Sequence, residues 1–313
     1  HTVTTAVHFT TFRLALDPTD ASGTTYLTDG TPARMAAKTV EVESLQPDGT
    51  VRKRSKTFYF SKHGAVLVKP EAGLGWTRDA VYVLADPNRN NTRLIEQWLG
   101  IGSAKSVNEL KAAIDKHIGL PWVNTVAADR AGNTLYADGS VVAGIKPEQF
   151  GAGCVIMPAL VMINGARSAC DWGAGQPGTA NLVPPQFGPW TIRTDYVDNS
   201  NDSYWLSNAR SLLTGPAPFG FSPLYGPVGG EQMLRTRIGF RQLEELLATK
   251  PLLQLEDLQY LAFANRINAA EMVLPELLPA CLAANDAALT PACNALAAWD
   301  KKADLDSRGA VLF

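Results

Sequence analysis

The sequence predicts an α+β fold, strands first and helices last, on three observations. β-branched and aromatic residues dominate the N-terminal stretch, turn residues punctuate the first half at short intervals, and apolar residues recur at helical spacing in the final third. Strands grouped ahead of helices argue against alternating βαβ units. The composition can fill a core: 46% of the 313 residues are hydrophobic and 19% charged, below the usual quarter, so a disordered chain is not expected.

From His1 to Leu16 the run Thr2-Val3-Thr4-Thr5 through Phe9, Thr10 and Phe12 reads as one strand, ended by Asp17-Pro18-Thr19-Asp20. Short strands follow at 24–27, 37–46, 57–61 and 65–68, separated by turn signals at Asp29-Gly30, Pro47-Asp48-Gly49 and His63-Gly64. Val40-Glu41-Val42-Glu43 alternates apolar and acidic residues, as a strand with one solvated face does. A helix is expected over 92–99, running into Gly100. A clearer one spans 106–117, with Ser106 as N-cap and Glu109 as its capping-box partner. Gly119 to Asp129 reads as a buried strand, turned by Arg130-Ala131-Gly132-Asn133 into a return strand over 134–137; the pair implies a sheet covered on both faces.

Residues 143–195 are an irregular Gly- and Pro-rich excursion, and a Pro/Gly-rich loop spans 215–230. The helical region covers 231–300, with segments at 231–247, 255–270, 271–285 and 291–300; Gly239 weakens the first of these.

A net charge of −2 leaves no basic surplus for phosphates. The longest apolar run of note, Cys154 to Ile163, contains Pro158 and is too short to cross a bilayer. Neither a nucleic acid nor a membrane is expected as a partner. His1, His8, His63 and His117 lie far apart and no CxxC occurs, so no metal site is expected. Four cysteines permit three pairings or none. Two local loops, Cys154/Cys170 and Cys281/Cys293, are the simplest and suit an exported, oxidising setting, periplasmic or secreted. Closing a loop of about 15 residues contributes about 3 kcal/mol in the chain-entropy model. The chain opens at His1 with no signal-peptide pattern and stops at Val311-Leu312-Phe313 inside an apolar segment, so a piece of a larger protein is expected.

Asp198-Asn199-Ser200-Asn201-Asp202-Ser203-Tyr204-Trp205 packs amide and carboxylate side chains against two aromatics. Such a run forms a structured turn. It is either an ordinary Asx-rich loop or a rigid mount for an Asn amide aimed at an oxyanion.

Several segments then coincide with one family: His1-Thr2-Val3, Gly119-Leu120-Pro121-Trp122-Val123-Asn124-Thr125 on to Leu135-Tyr136, Asn199 to Ser203 on to Trp205, and Trp299-Asp300 with Leu305-Asp306-Ser307. In this order, along nearly the whole chain, they resemble the β subunit of the penicillin acylase family, most nearly its acyl-homoserine-lactone and aculeacin-type lipid-amide acylases. The resemblance implies the αββα sandwich of N-terminal-nucleophile hydrolases, with residues 1–313 as the central portion of a β subunit that pairs with an α subunit and with further β segments. It implies hydrolysis of a linear amide through an acyl-enzyme, formed on an N-terminal Ser that lies outside this chain and uses its own α-amino group as base. No organic cofactor is implied.

Residue by residue, the resemblance gives Val3 one oxyanion donor, its backbone N–H, and Asn201 the other, with Arg235 orienting that amide. Trp98, Trp122 and Val123 match the acyl-pocket lining, where large apolar rings suit an alkyl chain. Penicillin G acylases bind calcium through acids just after the Val3 position; Thr4 to Phe9 supply none, so calcium is not expected there. A penicillin V-type acylase and an inactive scaffold of the same fold are the alternatives. A β-rich carbohydrate-binding module would leave the helical third unexplained.

Overall fold

In the computed structural model, which describes residues 1–173, 181–216, 220–250 and 252–313, the β-rich N-terminal run is split between two sheets. β1 (Thr2–Val3) ends at once and β2 (Thr10–Leu16) starts only after an irregular crossing. The single strand expected over 1–16 is therefore broken. The cause is Thr4, whose buried hydroxyl donates to Asp138 and accepts from the Ala6 N–H at 3.0 Å. A side chain that captures the backbone two residues on turns the chain away from its ladder.

Two units divide the chain. The first comprises His1–Val197, Ser203–Ser207 and Leu212–Val228, and the second Asp198–Asp202, Asn208–Ser211 and Gly229–Phe313.

In the first unit, β3 (Thr25–Thr28) and β4 (Thr31–Arg34) form a hairpin on Asp29-Gly30, both at positive φ, as the mirror-image turn requires. The long β5 (Ala36–Leu45) and β6 (Val51–Phe60), then β7 (Ala65–Leu67) and β8 (Ala80–Ala85), complete the first half. β4 and β8 lie beyond the sequence expectation. The helices α1 (Leu94–Ser103) and α2 (Val107–His117) lead to β9 (Val123–Ala128) and β10 (Thr134–Asp138). Short elements follow: α3 (Pro147–Gly151), β11 (Val155–Met157), β12 (Met162–Asn164) and β13 (Trp190–Arg193). Residues 174–180 of the 143–195 stretch, and 217–219 of the 215–230 loop, lie outside the described residues.

One sheet runs β1-β9-β10-β13, all antiparallel. The other runs β11-β12-β2-β8-β7-β6-β5, with β3 branching from β2 and β12 parallel to it. β10 joins the layers. Its Tyr136 enters the core that holds Phe12, Leu14, Val81 and Val83, while Leu135 and Ala137 on its other face meet Val107 and Ile114 of α2. This unit is thus layered helix, sheet, sheet. Each fully buried Leu in it contributes roughly 1.5–3 kcal/mol.

Cys154 is bonded to Cys170 and Cys281 to Cys293. The first pair sits in the inter-sheet core, and the second joins α6 (Asn268–Ala283) to α7 (Thr290–Ala297).

Other expectations are corrected. α1 does not stop at Gly100; a Cβ there would lie 3.2 Å from His117 Nε2, so the glycine lets α2 pack close. β5 is exposed on both faces, with Val42 56% exposed, because it projects in a ribbon with β6. β9 is not covered on both faces: Val126 is exposed. In the second unit α4 (Leu234–Thr249) runs unbroken through Gly239. α5 (Leu255–Phe263) ends early, because Asn265 turns left-handed before α6 begins.

Gly64 has φ 154°, and a Cβ there would run into the Leu84 carbonyl. Gly64→Ala should therefore lower the unfolding free energy by roughly 2–4 kcal/mol, read as an earlier urea midpoint at unchanged slope. An unchanged midpoint would contradict this packing of β7 on β8.

Candidate functional site

The second unit fixes Asn201 by its neighbours. Asn201 has φ 65°, a left-handed conformation that Asn tolerates. Its N–H donates to Asn199 Oδ1 at 2.9 Å, and Asn199 Nδ2 donates to the Asp202 carbonyl at 3.0 Å. Asp202 in turn accepts from the Thr236 hydroxyl, which ties the turn to α4. Arg235, in the first turn of α4, donates from Nη1 and Nη2 to Asn201 Oδ1 at 3.0 and 2.9 Å. Its Nη2 also donates to the Ser200 carbonyl at 2.5 Å.

A guanidinium has donors only, so the amide atom it faces is the oxygen. The Nδ2 of Asn201 is therefore turned away from Arg235. Close approach of turn and helix needs a small residue at 239. A Cβ on Gly239 would already touch Asp198 Oδ2 at 3.5 Å and Ser200 Oγ at 3.6 Å. Asp198 is pushed above the usual carboxylate range by burial, partly offset by the Asn199 N–H.

In the first unit Val3 pairs with Val123 on β9, and the Thr4 N–H donates to the Trp122 carbonyl. Alternation along an antiparallel ladder then makes Val3 a non-hydrogen-bonded position, with its N–H directed away from β9; β1 is an outer strand of this sheet among the described residues. The Val3 side chain is 59% exposed and makes no core.

Trp98 and Trp122 are each 42% exposed, so neither is an ordinary core tryptophan. The His1 ring meets Trp98 edge-on at 4.8 Å and its Nδ1 shares a hydrogen bond with the Thr125 hydroxyl at 2.8 Å, so α1 and β9 are bridged there. His8 stacks on Trp122 at 5.0 Å. Val123 packs with the α2–β10 core.

Two side chains near Val3, Asn124 and Asp138, were given no role by the sequence. Asn124, fully buried, donates from Nδ2 to the Val3 carbonyl at 3.1 Å and accepts from the buried Tyr136 hydroxyl at 2.7 Å. Asp138 accepts from the Thr4 hydroxyl and from Ser140 Oγ at 2.5 Å. Both anchors grip the residues that flank the Val3 peptide. The one visible signal was a polar Asn inside an apolar strand.

A cavity of about 400 Å³ in the same unit is lined by Phe12, His63, Arg89, Asp171 and Trp172, and none of Val3, Trp98, Trp122 and Val123 is in its lining. Burial pushes His63 down to about 4, against the pull of Asp171, so its imidazole is neutral near pH 7. Among the described residues no group of three or more His, Cys, Asp or Glu could hold a metal ion.

A family model described as penicillin amidase matches residues 1–313. Aculeacin-A acylase of Actinoplanes utahensis is 39% identical over 335 residues, covering 100% of this chain and 41% of that protein. Acyl-homoserine lactone acylase PvdQ of Pseudomonas fluorescens Pf0-1 is 36% identical over 315 residues, covering 98% of this chain and 39% of its own length. The thermostable penicillin G acylase from Alcaligenes faecalis superposes with a TM-score of 0.53 at 15% identity, over 96% of this chain and 48% of that one. At that identity the likeness is one of fold: the α+β, N-terminal-nucleophile hydrolase architecture. The chain spans about two-fifths of the length of the curated relatives it matches.

Burial raises the Asp138 carboxyl to about 6, against the hydrogen bonds from Ser140 and Thr4. A folded-state value above the ordinary 3.8 means that the folded protein binds more protons than the unfolded chain between about pH 4 and 6. Stability from this group is therefore present at low pH and lost as pH rises through that window. Asp138→Asn should remove a fall on the order of 2–3 kcal/mol between those limits. Urea midpoints of both proteins across the window check this; parallel curves would count against it.

Proposed function

The chain belongs to the penicillin amidase family, and from that premise we propose that it is the central portion of the β subunit of an acylase that hydrolyses the linear amide of a long-chain N-acyl substrate. The observation that carries the reading is the Arg235 fork on Asn201 Oδ1, which holds the amide N–H₂ in a single orientation. A preorganised donor of this kind stabilises the oxyanion of a tetrahedral intermediate without reorganising as charge develops.

Asn201 Nδ2 is a side-chain oxyanion donor, and Arg235 is its positioning residue. Val3 supplies a backbone donor, consistent with an N–H that faces away from β9. The nucleophile is an N-terminal Ser outside residues 1–313. It attacks the amide carbon, its proton passes to its own α-amino group, and the amine leaves with that proton. Water then attacks the ester and releases the fatty acid.

Trp98, Trp122 and Val123 receive the alkyl chain, supported by the partial exposure of both rings. The relatives act, by their names, on aculeacin A and on acyl-homoserine lactones; the substrate class proposed here is an amide of that kind, an acyl-homoserine lactone or a lipopeptide. The partners are the α subunit and the other β segments of the same precursor. A periplasmic or secreted location is supported by two disulfides, which persist in oxidising surroundings. The helical region 231–300 and the stretch 143–195, each stapled once, act as supports.

In the whole processed protein, Asn201→Ala should lower kcat roughly 100- to 1,000-fold with little change in melting temperature. Unaltered turnover would sink the assignment, and a wild type with no turnover on any N-acyl amide would favour the inactive-scaffold alternative. Trp122→Ala should reduce kcat/KM steeply for long acyl chains and little for short ones, since each buried CH₂ contributes about 0.8 kcal/mol. An acyl-length series measures the slope. Equal loss at every length would take Trp122 out of the acyl pocket.

A further inference from the structure

The β5–β6 ribbon has two chemically different faces, and they exist only because of its register. Val40 pairs with Lys56, Val42 with Arg54, Ser44 with Arg52 and Lys38 with Phe58. Residues directly opposite in an antiparallel pair share a face, so Lys38, Arg52, Arg54 and Lys56 project from one side together. No acid lies on that side of the paired strands. The other side carries Glu41 and Glu43, with Glu43 paired to Lys53 at 3.5 Å, and Thr39 bonded to Thr57.

All four cations of the basic face are exposed, and none makes an ion pair among the described residues. Opposite them across the pair stand Val40, Val42 and Phe58, at 38%, 56% and 39% exposure. Ten-residue strands reach about 33 Å, so this is a long, narrow platform on which a row of cations on β6 lies beside a valine pair on β5.

We propose that this face docks the protein on an anionic lipid surface. Exposed cations gain from anionic headgroups, while Val40, Val42 and Phe58 enter the boundary below them and the Lys and Arg stems lie along it. An acidic polypeptide would satisfy the charge but gives no use to Val40 and Val42. A nucleic acid would likewise meet the cations and leave Val40 and Val42 without a partner; the local row of cations, not the net charge of −2, carries the attraction to lipid. The docking goes beyond the proposed hydrolysis; it rests on that reading only for its benefit, which is proximity to substrates with lipid tails.

The test is flotation of the whole processed protein with phosphatidylcholine vesicles, with and without phosphatidylglycerol. Retention is expected only where phosphatidylglycerol is present. Arg52→Gln with Arg54→Gln should lower the partition coefficient about fivefold per cation, on the order of 25-fold together. Glu41→Gln with Glu43→Gln, on the opposite face, should not lower it. A water-soluble N-hydroxysuccinimide ester should acylate Lys38 and Lys56 of lipid-free protein, whose side chains are exposed, and phosphatidylglycerol vesicles should protect them.

Indifference to phosphatidylglycerol, or arginine variants that bind like wild type, would overturn the proposal. So would Lys38 and Lys56 that resist acylation without lipid, since the face would then be covered by the rest of the protein. Capture by polyglutamate without vesicle binding would reassign the face to an acidic protein. Hydrolysis of a soluble short-chain amide, read in the same samples, separates the two ideas: activity without vesicle binding removes the docking alone.

Discussion

β10 is the strand on which the first unit depends, because it is buried on both faces. Leu135 and Ala137 close the layer with α2, and Tyr136 closes the layer between the sheets. A strand in that position must be apolar in two directions and still satisfy any polar atom it carries. The Tyr136 hydroxyl does so through Asn124, and Asp138 through Thr4 and Ser140. Two separate burials thus converge on one strand.

Those polar obligations have a mechanical result. Asn124 spends its second hydrogen bond on the Val3 carbonyl, and Asp138 holds the residue after Val3. β1 has only two residues and a neighbour on one side, so its ladder alone would fray. Buried side chains supply the rigidity that length does not. A backbone donor at a sheet edge can be held still in this way, and oxyanion stabilisation requires such stillness.

The second unit solves a similar problem by other means. Asn201 sits on a turn, which is ordinarily mobile, but Asx bonds fix the turn internally and α4 fixes it externally through Arg235 and Thr236. The turn lies close enough to the helix that a Cβ at Gly239 would be in contact with Asp198 and Ser200. Helix and turn are far apart in sequence, so neither explains the other until they meet.

The sequence by itself determined the fold class, the helices α2 and α4, the β9–β10 hairpin and the run around Asn201, since periodicity, capping and Asx chemistry are local. It also made the family legible, because collinear motifs survive where single ones would not. Tertiary structure alone decided the rest. That Thr4 breaks the first strand depends on a carboxylate more than a hundred positions away. That Asn124 serves Val3 depends on strand pairing, and a backbone donor leaves no mark on the side-chain alphabet. The ribbon's basic face appears only when two strands of mixed composition pair in register, since alternation is read along one strand and a face is made by two.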